Sequence, residues 1–389
     1  MRAALKAFLL SGRMGPNDES FQPDLMNSNK ILRNRCAQFC FSLIVLLGGG
    51  QLLGGGQTTA AIGQTRDWQP QRTWVFVVGT LQWKHRDVFD SFPQKNRRDA
   101  QLVESFRQQG VPDQQMVYLQ DAQATTRKVK TAFTTLLAKA SEGDFLFVYY
   151  CGHGYKSEDE RTTWFATYDA GEDTPGWATD SIVKDIEKYF KGSRAFLTAD
   201  CCYSGSLSQQ ARRLGQRVSY ACLTSSSASE LSTGNWTFTE MLVAGLSGQA
   251  FADLNSDGQI TLSELAEDVK EDMAFAEEQR SSFTTTGSFA PSTVLARAAR
   301  KVNPEVSKRV EVKSEGKWWK ARVIDARAGT FHVHYYGFED SDDEWVRLSQ
   351  IRETKIEYPP GAEKNRPVNN PSRPASDTWR TDRIQPWVP

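Results

Sequence analysis

Histidine is scarce in this chain: four in 389 residues, which leaves few candidates for an imidazole base at neutral pH. Cysteine is little more frequent at six, and two of these, Cys36 and Cys40, fall in an N-terminal apolar stretch. The remaining four, Cys151, Cys201, Cys202 and Cys222, do not form the spaced pairs of a disulfide framework. Charge of one sign is also missing. Lys plus Arg and Asp plus Glu are 47 each, which excludes bulk attraction to nucleic acid or an anionic membrane, so function has to come from local sites. No apolar run approaches the roughly 20 residues of a membrane-spanning helix. What is present is a chain long enough for two or three domains, with a hydrophobic fraction of 39% that is adequate for a core.

The N-terminus has the order charged, apolar, small. Lys30, Arg33 and Arg35 precede the apolar run 39–47, which is followed by Gly-rich sequence and by Ala60, Ala61, Ile62 and Gly63. That order predicts a targeting segment over residues 1–63, cleaved after Gly63, with Met26 as a start that would give it a more ordinary length. No lipobox precedes Cys36 or Cys40. The expected location is therefore secreted or periplasmic, the alternative being a membrane anchor made by the same apolar run.

From Trp74 onward the pattern alternates strands and helices. Strands are predicted over residues 74–78, 116–119, 145–151, 195–199 and 219–223. Helices are predicted over 96–109, 126–140, 181–190 and 238–246. This βαβ order implies an α/β fold with a parallel sheet buried by helices on both faces and its functional loops at the carboxyl edge. Two strands end on chemistry there. The segment FLFVYYCGHG stops at His153, and RAFLTADCCYSGS delivers Cys201 and Cys202. A thiol is mostly protonated at neutral pH, and a nearby imidazole can activate it and later protonate a leaving amine. His85 lies in a polar loop, and His332 and His334 lie in a separate C-terminal unit, so His153 is the histidine placed beside a thiol. Cys151, Cys201 and Cys222 read as core residues.

The two motifs resemble those of the caspase-like superfamily, and within it of metacaspases and bacterial caspase-family peptidases. Those proteins carry one strand ending in S/C-G-H-G, matched here by Cys151, Gly152, His153 and Gly154. Their second strand ends in D-x-C-x-S-G, matched by Asp200 through Gly205, with Cys202 at the nucleophile position. The resemblance runs from about residue 74 to about residue 290. Metacaspases usually have His where this chain has Tyr203. The resemblance implies a caspase-like, mainly parallel sheet flanked by helices over a peptidase domain at 71–300. It also implies an oxyanion hole made by the backbone N–H groups of Gly154 and Cys202. Asp99, in NRRDAQL, matches an acidic residue that helps line the specificity pocket of metacaspases. With Asp200 it implies selection of Arg or Lys before the scissile bond, because a buried carboxylate is satisfied by a guanidinium or ammonium group.

Further along, Asp253, Asn255, Asp257, Gln259, Thr261 and Glu264 occupy ligand slots 1, 3, 5, 7, 9 and 12 of an EF-hand loop, with Gly258 at the turn and Ile260 as the pairing apolar residue. Oxygen-only ligands favour Ca²⁺. An acidic turn that caps the helix expected over 262–277 is the alternative, since no second EF-hand is visible and such loops usually work in pairs. Resembling bacterial caspase-family proteins carry a loop of this kind at the same place.

Residues 306–354 alternate short strands with turns and resemble Tudor, agenet and chromo-barrel modules, which implies a small SH3-like β-barrel. Trp318, Tyr335, Phe338 and Trp345 are candidates for an aromatic cage, with Asp342 or Asp343 near its rim. The alternative is that the aromatics are barrel core. Residues 355–389 form a Pro-rich tail expected to be disordered.

The expectation is thus a secreted, Ca²⁺-binding cysteine endopeptidase. Cys202 and His153 would act on protein or peptide substrates with Arg or Lys before the cut, and the C-terminal module would bind a protein ligand. The alternative is a catalytically inactive caspase-fold protein that binds calcium and acts through the barrel. A nucleic-acid or chromatin reader is disfavoured by the export signal and the neutral charge.

Overall fold

The computed structural model describes residues 68–299, 305–356 and 358, so the expected targeting segment 1–63 and the tail beyond residue 358 lie outside the described residues. Within them, alternation along the strands builds the centre of the fold. β1 (Thr73–Gly79), β2 (Met116–Gln120), β3 (Phe145–Cys151), β7 (Arg194–Asp200) and β8 (Ser219–Thr224) are mutually parallel. β10 (Ser282–Thr285) closes one edge antiparallel, giving the order β10-β8-β7-β3-β1-β2. Successive side chains point to opposite faces. Val75, Val77, Phe147, Tyr149 and Cys151 therefore join one core layer, and Phe76, Val78, Leu146, Val148 and Tyr150 join the other.

Helices cover both faces. On the first, α1 (Arg98–Gln108), α5 (Thr237–Leu246) and α6 (Leu262–Glu277) contribute Phe106, Leu242 and Val269. On the second, α2 (Thr126–Lys139), α3 (Thr179–Tyr189) and α4 (Ser206–Leu214) contribute Phe133, Ile186 and Leu207. The helix starts follow local chemistry. Thr125 caps α2 by accepting the Lys128 amide, and Thr261 with Glu264 forms a capping box at the start of α6. Burying side chains of this size contributes about 1.5–3 kcal/mol each. Phe147, at 1% exposure, is among the largest, and truncating it to Ala would cost about 3–5 kcal/mol.

β4 (Gly154–Lys156), β5 (Thr163–Phe165) and β6 (Trp177–Ala178) make a small antiparallel sheet directly after β3. β9 (Gln259–Thr261) pairs with β11 (Val294–Arg297), with Ile260 opposite Ala296. The strand that leads out of the acidic loop is thus partnered by β11. Among the described residues no helix is long and apolar enough to cross a membrane.

The C-terminal strands β12 (Arg309–Ser314), β13 (Lys317–Arg327), β14 (Thr330–Tyr335), β15 (Glu344–Arg347) and β16 (Ile351–Glu353) form an antiparallel sheet, order β15-β14-β13-β12-β16, over Val310, Val312, Val323 and Val333. It packs on α6 through buried charge. Arg322 reaches Asp268 at 2.5 Å and Asp272 at 2.7 Å, and Arg309 reaches Asp268, Glu271 and Asp272 at 2.8, 2.6 and 2.5 Å. Both arginines are under 10% exposed.

The four aromatic-cage candidates are not brought together. Tyr335 and Phe338 meet at 6.1 Å, and their third partner is Trp319, 5.3 Å from Phe338. Trp318, one residue along β13 and so on its opposite face, stacks under Arg352 at 4.4 Å. Trp345 sits opposite His332 in the register and stacks on it at 5.0 Å. The strand period of two separates residues that sequence proximity had grouped.

Candidate active site

The site is built by two adjacent parallel strands that end level. The register pairs Cys151 of β3 with Asp200 of β7, so His153 and Cys202 each follow a paired position by two residues. Gly152 adopts φ 143°, and a Cβ there would lie 2.6 Å from the Thr80 carbonyl oxygen, which explains glycine before the histidine. Gly154 lies against the other motif: a Cβ on it would sit 2.0 Å from the Cys202 carbonyl oxygen and 3.1 Å from Cys201 Sγ.

His153 is held in an aromatic nest. Trp83, Phe92 and Phe89 lie 4.6, 4.7 and 5.5 Å from its ring, and Nε2 is 2.8 Å from the Asp90 carbonyl oxygen. A carbonyl can only accept, so Nε2 carries the proton and Nδ1 keeps its lone pair. Burial pushes the imidazole pKa below its ordinary value, opposed by the bond to Asp90, and the neutral, proton-accepting form is favoured. The residues of this nest escaped sequence reasoning. The only signal was three aromatics, Trp83, Phe89 and Phe92, within a short polar stretch.

Of the four cysteines among the described residues, Cys202 is the one that is not buried. Its sulfur accepts from the Ser232 amide at 3.2 Å and donates toward the Ser232 carbonyl at 3.8 Å. Burial raises its pKa, partly offset by the Ser232 backbone bond, so the resting group is a thiol. Cys201 points into the second core layer at 3% exposure, with its thiol pushed far up by desolvation. Cys151 lies in the first layer in the same condition, and burial pushes Cys222 up to about 12. No hydrogen bond joins His153 to Cys202 among the described residues. Each has a backbone partner instead.

Behind Cys202 is a serine lattice that the sequence did not disclose. Ser225 Oγ accepts the Cys201 amide at 3.1 Å, Ser226 Oγ donates to the Cys201 carbonyl at 2.9 Å, and Ser204 and Ser226 exchange amide-to-hydroxyl bonds at 3.1 and 3.2 Å. Gln279 ties this lattice together from beyond α6, donating to Ser232 Oγ at 3.2 Å and accepting the Thr233 amide at 2.8 Å. Tyr203 takes φ 59°, unusual for a bulky side chain, and its amide donates to the Glu230 carbonyl at 2.8 Å.

Asp200 is buried and meets no cation among the described residues. It accepts from Thr239 Oγ1 at 2.7 Å, and desolvation raises its pKa to about 7. Asp99 is also near the end of β3, since Cys151 lies within electrostatic reach of both carboxylates. Its condition is opposite. Arg97 grips it at both oxygens, Nε to Oδ1 at 3.1 Å and Nη2 to Oδ2 at 2.8 Å, and the Tyr118 hydroxyl adds a bond at 2.7 Å. Both oxygens of Asp99 thus have partners within the protein.

The acidic loop closes on itself. Asp253 accepts the amides of Asp257 and Gly258 at 3.1 and 2.9 Å, Asn255 and Asp257 accept amides two residues on, and Glu264 accepts those of Asn255 and Thr261 at 3.1 and 3.0 Å. The donors are all oxygen, as a hard cation requires. No group of three or more His, Cys, Asp or Glu side chains converges as a metal site among the described residues.

With this geometry in place, residues 98–210 match the family model described as metacaspase, peptidase C14 domain. The match spans both motif strands and supports a metacaspase-type, caspase-like assignment for this part of the chain, a class of cysteine peptidases. No curated protein matches the chain. Among solved structures, protein GSU0716 from Geobacter sulfurreducens is similar at 14% sequence identity and a TM-score of 0.40, over 58% of this chain and 100% of that one.

Proposed function

We propose that the protein is a cysteine endopeptidase in which Cys202 attacks a peptide carbonyl after a basic residue. The observation that carries this reading is the meeting of the two motif loops at the carboxyl edge, with the Gly154 backbone against that of Cys202. In the proposed reaction the Cys202 thiol gives its proton to Nδ1 of His153, and the sulfur forms a bond to the carbonyl carbon. The C–N bond then breaks as the imidazolium returns the proton to the leaving amine. Water, deprotonated by the same imidazole, releases the acid and restores the thiol. The amides of Gly154 and Cys202 are the proposed donors to the oxyanion. Asp200, buried without a counter-ion, favours an Arg or Lys side chain next to the scissile bond.

Ca²⁺ is proposed for the loop 253–264, where Asp253, Asn255, Asp257, Gln259, Thr261 and Glu264 would supply oxygens. The ion would add stability by binding the folded loop alone. Secretion rests on the charged, apolar, small order at the N-terminus. A protein-ligand role for the C-terminal sheet rests on its resemblance to Tudor-type modules and on exposed Phe338 and Trp345, at 38% and 41%.

A second reading, a caspase-fold protein without turnover, is favoured by one observation: the Cys202 thiol is bonded to Ser232 rather than to His153. Full-length protein assayed on fluorogenic peptides ending in Arg, Lys or Asp separates the two. Cleavage after Arg and Lys, lost in Cys202→Ala, supports the peptidase. Preferred cleavage after Asp overturns the basic specificity, and no cleavage of any peptide overturns the activity.

A further inference from the structure

Two segments that leave the carboxyl edge come back together on the side of the sheet covered by α3 and α4. β5 pairs with β4, the strand that begins at Gly154, with Thr163 opposite Lys156, and α4 begins at Ser206, shortly after Cys202. Between β5, the start of α3 and α4 lies a cavity of about 240 Å³, whose lining includes Arg161, Thr163, Thr179, Asp180, Gln210 and Arg213. Its chemistry is one-sided. The N-cap of α3, a helix of 11 residues, is Ala178, which has no side-chain oxygen to accept a first-turn amide. A helix start without a side-chain cap presents N–H groups and the positive end of its dipole. Thr179, the first residue of the helix, is 0% exposed, and its Oγ1 has no hydrogen-bond partner among the described residues. Arg213 gives Nε and one Nη2 hydrogen to Gln210 Oε1, at 3.1 and 2.7 Å, and its other N–H groups have no acceptor among the described residues. Arg161 stands at the mouth, its side chain 86% exposed and 3.7 Å from Asp159. Asp180 is the one carboxylate on the lining, and Lys184 Nζ lies 2.6 Å from its Oδ2, so the two arginines are in excess.

We propose that this cavity binds a phosphoryl oxyanion, as the free ion or as a phosphate group carried on a peptide. The α3 amides and the Thr179 hydroxyl hold its inner oxygens, and Arg213 and Arg161 take the outer ones. A tetrahedral dianion suits the set better than a planar carboxylate, because the donors converge from three elements. A cation would meet two guanidinium groups and a single carboxylate that Lys184 already neutralises. Neither His153 nor Cys202 lines the cavity, and the inference does not depend on the peptidase reading. An ion held there joins the segment that follows His153 to the helix that follows Cys202, so its binding adds to the stability of that part of the fold.

The test is calorimetric titration of the full chain with inorganic phosphate and, in parallel, with a phosphoserine peptide and its unphosphorylated twin. The parent is expected to bind at least one of the two phosphate probes at millimolar concentration or below, and not the unphosphorylated peptide. Arg213→Gln, a change on an exposed side chain, should weaken that binding at least about tenfold. Thr179→Val should weaken it at least about threefold. The same variant separates a ligand role from a structural one. Without phosphate its melting temperature should equal or exceed that of the parent, since a buried hydroxyl that lacks a partner gives way to a methyl group of similar shape, and added phosphate should raise the parent more than the variant. Arg327→Gln, which removes the same charge from a side chain 73% exposed on the C-terminal sheet, should leave the dissociation constant unchanged. Tighter binding of the phosphopeptide identifies a phosphorylated chain as the source, and equal or tighter binding of inorganic phosphate identifies the free ion; both sustain the site. Failure of both phosphate probes to bind at millimolar concentration overturns the proposal. Equal binding of the unphosphorylated peptide overturns it as well, as does equal weakening by Arg327→Gln and Arg213→Gln.

Discussion

Gly154 and Cys202 stand in backbone contact: a methyl group on the glycine would lie 2.0 Å from the cysteine carbonyl oxygen. The strand that carries His153 onward and the loop that carries Cys202 are therefore fixed against each other by the absence of a side chain. Gly154→Ala is expected to force the loops apart and lower kcat by about a hundredfold or more, the size of effect seen when an oxyanion donor is displaced. The β3–β7 core is untouched by this change, so far-UV circular dichroism should stay as in the parent. Near-parent kcat in a folded Gly154→Ala protein would show that the contact is not needed for turnover.

The two neighbouring cysteines separate by environment. Cys201 is in the core and Cys202 is partly open. Cys202→Ala is expected to remove hydrolysis, while Cys201→Ala leaves most of it and lowers stability by about 1 kcal/mol for a small buried group lost. Active-site titration with a thiol-alkylating reagent should label the parent and Cys201→Ala, not Cys202→Ala. The reverse pattern would reassign the nucleophile.

His334 gives a pH signature of its own. Burial alone would lower its pKa, but the bonds to Asp343 at 2.8 Å and toward Glu240 at 3.7 Å outweigh burial and raise it to about 9. A base raised in the folded state stabilises fully below its unfolded value of 6.5, and the contribution fades as pH climbs through about 9. The melting temperature of the parent minus that of His334→Gln should therefore be largest near pH 6 and shrink toward pH 10. A difference that is flat with pH would contradict the assignment.

Arg322 tests the docking of the C-terminal sheet. It is 1% exposed and bonded to Asp268 and Asp272. Arg322→Met leaves carboxylates buried with less counter-charge and should cost about 3–5 kcal/mol in urea unfolding. A loss below about 1 kcal/mol would mean that water replaces the arginine readily.

Ca²⁺ gives a fifth measurement. If the loop binds it, a hundredfold excess over Kd adds roughly 2.7 kcal/mol, seen as a rise in melting temperature, and Glu264→Gln should remove most of that rise. Calorimetry without Ca²⁺ uptake at millimolar concentration would end the proposal.

The layered core was legible because its signals are periodic. The run from Phe145 to Cys151 and the helix from Leu262 to Glu277 fall at the expected residues, and the other parallel strands are within one residue or so of their expected ends. What the sequence hid lacks a long period. The strand Ser282–Thr285 is short and antiparallel, and helix Ser206–Leu214, directly after the cysteine motif, carries an apolar stripe of only three residues, Leu207, Ala211 and Leu214. The nest around His153 is assembled from Trp83, Phe89 and Phe92 on an irregular segment, and the clamp of Arg97 on Asp99 joins residues two apart at a helix start, where that spacing does not put side chains on one face. Both needed three dimensions. The motif residues themselves were readable because glycine is demanded where backbones touch, and that demand is written into the sequence at Gly152 and Gly154.

Asp268, Glu271 and Asp272 lie three and four residues apart on α6, a spacing that turns three like charges to one side of the helix. Left alone, such a stripe is frustrated: its members repel one another and cannot all stay ionised without water. Arg309 and Arg322 resolve that conflict from a different part of the chain, so the helix that helps cover the first face of the parallel sheet is only a comfortable helix when the C-terminal sheet is attached. A chain cut off before residue 306 would not be the same fold with an appendage removed. It would expose an acidic face built for a partner, and soluble, folded recovery of that fragment would call for the missing two cations to be supplied in another form.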